Sequence, residues 1–162
     1  MKKLVVKIIN KIKTARIGRK RRSDEPAVDV PEIVTRNFWS KYPQAKLKKW
    51  RNEHDTYTAA FVSRNHRYEA FYNAAGDWVK TEMKVPLTRE LPPAINRSLK
   101  ASEFAAWQIT DIKKIELYDH SLYVIRVENS NPRDKGSYKL QPANLLYFKP
   151  DGSLLKIDMH QS

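Results

Sequence analysis

The chain has 162 residues, of which 41% are hydrophobic and 10% aromatic, so it is long enough to bury one sizeable core. Because it contains no cysteine, disulfide scaffolds, thiolate zinc sites and cysteine nucleophiles are excluded. The net charge of +13 is unevenly distributed: residues 1–22 hold ten lysines and arginines and no acid, whereas the other 140 residues hold 21 basic and 18 acidic side chains.

Residues 1–22 are a basic segment with helical periodicity. On a helix their apolar side chains fall within an arc of about 140°, and this arc comprises Leu4, Val5, Ile8, Ile9, Ile12 and Ala15. The pattern is typical of an amphipathic helix on an anionic membrane surface. An export signal and a solvated tail are the alternatives, although Lys7 and Lys11 interrupt the apolar run and no small-x-small cleavage site follows. Nucleic-acid binding through this tail is less favoured, because the rest of the chain is nearly neutral.

After a linker at residues 23–30, the sequence predicts two units, residues 31–90 and 91–162. Each begins with proline and a helical stripe, PEIVTRNFWSKYP in the first and LPPAINRSLKASEF in the second. About four strands follow each helix, and the strand-like runs before the last turn are residues 46–52, 57–62, 67–73, 111–118, 122–128, 138–140 and 145–149. The long stretch between residues 128 and 145 leaves the strand register of the second unit open.

The last hairpin is the clearest part of an internal repeat. GDWVKTEM, which starts at Gly76, aligns with GSLLKIDM, which starts at Gly152. A tight hairpin needs a residue at positive φ, and glycine adopts this conformation without steric cost. The repeat predicts an α+β protein of two tandem units, whose sheets join edge to edge or pack together.

The order of aromatic and turn residues over positions 30–158 resembles the PepSY-like family, which is also described as beta-lactamase-inhibitor-like. The matching residues are Phe38, Tyr42, Pro43, Trp50, Tyr57, Phe61, Tyr68, Tyr72, Gly76, Trp78, Thr81, Glu82, Leu91, Pro92, Phe148, Asp151 and Gly152. The resemblance implies two helix-plus-four-strand units that form one extended antiparallel sheet with the helices on one face. It also implies an exported bacterial envelope protein with no known enzymatic role.

Strand alternation predicts which side chains face the helices. Tyr57, Tyr68 and Tyr72 point to the same side of their strands as small and apolar residues, which predicts that these tyrosines are buried in the core. The opposite, wetter face is predicted to carry large rings among charges, and its candidate partner-binding residues are Trp50, Arg67, Phe71, Trp78 and Lys80.

Catalytic and metal-binding patterns are absent from the sequence. There is no HExxH and no GxSxG motif, and the histidine pairs His54-Asp55 and Asp119-His120 stand at predicted turns. Glu82 and Asp158 each follow a lysine by two positions, which favours cross-strand ion pairs on the wet face over acid–base catalysis. No catalytic residue, metal or cofactor is therefore predicted.

The favoured function is a non-enzymatic binding module of the bacterial cell envelope, which presents a sheet face to an unknown protein or peptide and has a possible inhibitor-like role. By resemblance its location is the periplasm or cell envelope. The alternative is a cytoplasmic protein held at the membrane surface by residues 1–22, because this segment is a poor export signal.

Overall fold

The computed structural model describes residues 28–87, 91–129 and 143–160. These residues form two helices and eight strands, and the strands make one antiparallel sheet in the order β1 to β8. In chain order the elements are α1 (Glu32–Lys41), β1 (Lys46–Glu53), β2 (Thr56–Ser63), β3 (His66–Asn73), β4 (Trp78–Lys84), α2 (Pro93–Lys100), β5 (Gln108–Glu116), β6 (Ser121–Glu128), β7 (Ala143–Phe148) and β8 (Leu154–His160). The predicted α+β class is confirmed, with one sheet joined through the pairing of β4 with β5.

Both helices begin directly after a proline, as the sequence predicts. Pro31 precedes α1, and Pro93 occupies the first turn of α2, where a missing N–H costs nothing. Each helix buries two apolar side chains one turn apart, and these are Val34, Phe38, Ile95 and Leu99. Helices this short depend on the sheet beneath them for their stability.

Both helices lie on the same face of the sheet. Val34 and Phe38 of α1 belong to the apolar cluster that Tyr68 of β3 also joins, while Met83 packs against the cluster beneath α2. Tyr68 and Met83 are directly paired across β3 and β4, so they point to the same side. We call this side the helix face and the other side the helix-free face.

The helix-free face has an apolar cluster of its own. Its members point away from the side of the sheet that packs beneath α2, and they are Ile115, Leu117, Leu122, Val124 and Tyr147. All five are buried, so this part of the face that was expected to be at least partly wet is dry. The reason lies in β6, where a continuous apolar run supplies core residues to both faces.

Two glycine hairpins have the same local geometry. Gly76 has φ +90° and Gly152 has φ +89°, and each donates its N–H to a carbonyl three residues earlier at 3.0 Å. Each hairpin is followed by a one-residue bulge, at Val79 in β4 and at Leu155 in β8. A Cβ on Gly76 would lie 2.7 Å from the side chain of Ile33 in α1, and a Cβ on Gly152 would lie 2.6 Å from the carbonyl oxygen of Ala94 in α2. Each hairpin therefore fits against its helix only because glycine has no side chain.

Several predictions concern residues outside the described ranges. These are the tail at residues 1–22, most of the linker at 23–30, and the short strand at 138–140. The register of β7 with β6 is defined from Ala143 onward, where Ala143 pairs with Glu128.

Candidate functional site

Two bulges decide which aromatic side chains reach the helix-free face. In β4, Trp78 pairs with Tyr72 whereas Lys80 pairs with Phe71, so Val79 is an extra residue. A bulge interrupts the alternation of side chains, which places Trp78 and Lys80 on opposite faces. A second bulge, between Leu47 and Lys49, shifts the parity of β1 in the same way.

The expectation that Trp50 and Trp78 face the wet side is therefore wrong. Trp50 packs on the helix face, with its ring centroid 5.4 Å from that of Phe38 in α1. The indole N–H of Trp78 donates to Thr81 Oγ1 at 2.8 Å, and the Lys41 ammonium lies 3.9 Å from the Trp78 ring centroid. Both tryptophans thus stabilise the contact between α1 and the sheet.

The other three predicted residues do lie on the helix-free face. Arg67 and Phe71 alternate with Tyr68 and Tyr72, which point to the helices, and Lys80 is paired with Phe71. Arg67 is exposed, whereas Phe71 and Lys80 are buried. The Lys80 ammonium lies 4.3 Å from the Phe71 ring centroid, which is within the range of a cation–π contact.

A charged triad lies at the centre of this face, where β4 meets β5. Lys80 Nζ donates to Glu82 Oε1 at 2.6 Å, and Lys113 Nζ donates to Glu82 Oε2 at 3.1 Å. We call these three residues the central triad. The predicted cross-strand ion pairing of Glu82 is confirmed with Lys113 of β5, while Lys80 pairs with Glu82 along β4. Glu82 and Lys80 are buried rather than wet.

Electrostatics keep Glu82 and Lys113 charged despite their burial. Burial alone would raise the pKa of Glu82, but the charges and hydrogen bonds of Lys80 and Lys113 outweigh it and hold the pKa below its ordinary value. Burial alone would lower the pKa of Lys113, yet Glu82 shifts it upward overall. At neutral pH Glu82 is therefore negatively charged and Lys113 positively charged.

Sequence reasoning missed Lys113 because two adjacent lysines, Lys113 and Lys114, compete for this position. Only the register of β4 with β5, in which Lys113 pairs with Lys84, shows which of them turns toward Glu82. Around the triad, further ion pairs occupy the same face, namely Arg51–Glu69 at 2.6 Å, Lys84–Asp111 at 3.6 Å and Arg126–Glu128 at 2.9 Å. Paired charges of this kind suit recognition of a complementary surface more than proton transfer.

A shallow cavity of about 510 Å³ lies on the helix face between α1 and the β3–β4 hairpin. Its lining residues are Asn37, Ser40, Lys41, Tyr72, Gly76, Asp77, Trp78 and Tyr118. Near it, the Tyr42 hydroxyl shares a hydrogen bond with Thr81, and burial raises the pKa of Tyr42 to about 12. The hydroxyl is therefore neutral at physiological pH and serves to position the helix.

His54 and His120 occupy turns, as predicted. His54 lies in the β1–β2 turn with φ +49°, and His120 contacts Asp119 in the β5–β6 turn. Within residues 28–87, 91–129 and 143–160, no group of three His, Asp or Glu side chains is placed to hold a metal ion. In the same ranges, no helix has the length and apolar character needed to cross a bilayer.

The sequence profile of the family described as "Putative beta-lactamase-inhibitor-like, PepSY-like" matches residues 55–156 of this chain. The chain belongs to the PepSY-like family. No curated protein matches this PepSY-like chain.

Solved structures of Bacteroides proteins share the fold. A BLIP-like protein from Bacteroides fragilis NCTC 9343 is 21% identical, with a TM-score of 0.71 over 83% of this chain and 89% of that one. A DUF2874 family protein from Bacteroides ovatus ATCC 8483 is 22% identical, with a TM-score of 0.71 over 82% and 89%. A protein from Bacteroides eggerthii DSM 20697, described among "putative periplasmic proteins", is 20% identical, with a TM-score of 0.68 over 82% and 90%. At these identities the likeness defines the fold alone.

Proposed function

We propose that this PepSY-like chain is a non-enzymatic binding module that recognises a protein or peptide through its helix-free face. The observation that carries the proposal is the position of Arg67 and Phe71, which lie on that face beside Lys80 and the rest of the central triad. The fold shared with a BLIP-like protein supports an inhibitor-like role, which would act by occupying a partner's surface.

The half of the face formed by β1 to β4 is the proposed contact region. Its exposed cations include Lys49 and Arg67, while Arg51, Lys80 and Lys84 are held in ion pairs with neighbouring acids. Paired charges are fixed in position and resist rearrangement, whereas exposed cations are available to a partner. An acidic protein surface or peptide fits this arrangement best.

Charge reversal at Arg67 tests the proposal. An Arg67→Glu variant used as bait in envelope extracts is expected to recover about tenfold less of any specific partner, because an arginine in an interface is a common binding hot spot. Arg97→Glu is the matched control, since Arg97 is an exposed arginine of α2 on the helix face. Equal recovery by both variants, measured by quantitative mass spectrometry, would exclude the helix-free face.

We further infer that residues 31–90 and 91–162 are tandem units that arose by duplication. We also infer that the protein resides in the periplasm or cell envelope. The shared φ values, hydrogen bonds and bulge positions at Gly76 and Gly152 support the first inference. The neighbour from Bacteroides eggerthii, whose description is periplasmic, supports the second. Mass spectrometry of the mature amino terminus from fractionated cells tests the location.

A second candidate function is attachment to an anionic membrane surface through residues 1–22, which would place the folded body beside the bilayer. The apolar arc of Leu4, Val5, Ile8, Ile9 and Ile12 among lysines favours it. The full chain is expected to float with anionic vesicles, and either deletion of residues 1–22 or the double variant Ile8→Asn, Ile12→Asn should abolish flotation. The double variant retains every charge, so flotation that persists in it would contradict an amphipathic contact.

A further inference from the structure

The two edges of the described sheet differ in how they are protected. At β1, exposed lysines and a bulge at Lys48 obstruct pairing with another strand. At β8, the exposed side chains are instead mostly apolar, and they are Leu154, Leu155, Ile157 and Met159. An edge of this kind presents free backbone groups beside an apolar surface, which favours strand addition.

Comparison with β4 shows what covers this position in the first half of the sheet. Thr81 of β4 is buried at 3% exposure and pairs with Glu116 of β5. The corresponding residue of β8 is Ile157, which is 38% exposed and has β7 on one side only among the described strands. In the first half of the sheet, the equivalent edge of β4 is covered by β5 of the same chain. The edge of β8 has no described strand against it.

We propose that two copies of this chain join along β8 in an antiparallel pair, with Ile157 on the two-fold axis. The charges of β8 select this register. With Ile157 opposite its own copy, Lys156 lies opposite the partner's Asp158, and Asp158 opposite the partner's Lys156. A register shifted to centre on Lys156 or Asp158 would instead place like charges opposite each other, which is unfavourable.

The same pairing also satisfies the apolar side of the edge. Ile157 and Met159 lie on the helix face, whereas Lys156 and Asp158 lie on the helix-free face. The paired strands thus bury apolar side chains on one face and form opposite-charge pairs on the other. The interface is self-complementary and closes after two copies, which is the commonest symmetry among soluble oligomers. The result is a sheet of sixteen described strands with a continuous helix-free face.

A single engineered thiol tests the pairing, because the natural chain has no cysteine. Directly opposed residues in an antiparallel pair have Cα atoms about 4.5–5.5 Å apart, which a disulfide can span. Ile157→Cys is expected to yield a disulfide-linked dimer on mild oxidation. Val79→Cys is the matched control, since Val79 is also an aliphatic strand residue with 38% exposure but lies in β4. Equal cross-linking of both variants would overturn the proposal.

The unmodified protein and a charge swap complete the test. Light scattering of the wild-type chain is expected to give the mass of a dimer at about 0.2 mM, and a monomer at that concentration would overturn the proposal without any variant. Lys156→Asp should weaken dimerisation at least about tenfold, and adding Asp158→Lys should restore it, because the swap restores opposite pairs. Failure of the swap to restore dimerisation, in a variant whose circular dichroism is native, would overturn the register.

Discussion

Replacing Glu82 with glutamine is expected to lower the free energy of unfolding by about 3 kcal/mol, because it leaves a buried cation without its counter-ion. Lys80 is buried and bonds to Glu82 at 2.6 Å, so it cannot turn to water when that charge is removed. Lys113 loses the same partner. Urea denaturation at pH 7 measures the change.

The central triad also predicts a dependence of stability on pH. Because the folded state holds the pKa of Glu82 below its ordinary value of 4.5, the carboxylate contributes stability above that pH. This contribution is lost as the pH falls through the lowered pKa of the folded state. Wild-type protein should therefore lose stability on acidification more steeply than Glu82→Gln, which has no group to titrate there.

Glu116→Gln is the control for both measurements. Glu116 is an exposed carboxylate of the neighbouring strand β5, and neutralising it should change the unfolding free energy by no more than about 0.5 kcal/mol. If Glu82→Gln is as stable as this control and equally sensitive to acid, the triad does not stabilise the fold.

Replacing Gly152 with alanine is expected to cost about 3 kcal/mol or more. Its φ of +89° is unfavourable for any residue with a Cβ, and the new Cβ would lie 2.6 Å from the carbonyl oxygen of Ala94. Because this obstacle is helix backbone, relief requires α2 to move away from the sheet. Thermal and urea unfolding measure the loss.

Gly76→Ala provides an internal comparison, since its φ is nearly the same but its obstacle is different. There the new Cβ meets the side chain of Ile33 at 2.7 Å, and a side chain can shift more easily than backbone. A loss of about 2 kcal/mol is expected, smaller than that at Gly152. The opposite ranking, or two losses no larger than that of Ala75→Gly at an exposed turn position, would contradict this account of the hairpins.

The sequence is sufficient to predict the fold class because its strongest features are local. Prolines define where α1 and α2 begin, and glycines at positive φ define two hairpins. Alternation also correctly assigns Tyr57 and Tyr72 to the helix face. These features act within a few residues, so they do not depend on how distant strands are paired.

The face of each tryptophan could not be predicted in this way. Assigning faces by alternation assumes that every residue of a strand has one partner on the neighbouring strand. Lys48 and Val79 are extra residues without such a partner, so the faces assigned to Trp50 and Trp78 are reversed. The triad has the same limitation, since only the pairing of β4 with β5 selects Lys113 over its neighbour. A bulge and a register are defined by how a strand pairs with its neighbour. The sequence of the strand alone therefore does not show where they occur.

The order of the strands has a consequence for how the chain becomes folded. Every described strand pairs with its immediate neighbours in sequence, so each strand after β1 finds one of its partners already synthesised. Contacts between neighbouring segments require little loop closure and are associated with fast folding. A polypeptide that emerges from its amino end, at a ribosome or through a translocation pore, can therefore add one hairpin after another to a growing nucleus.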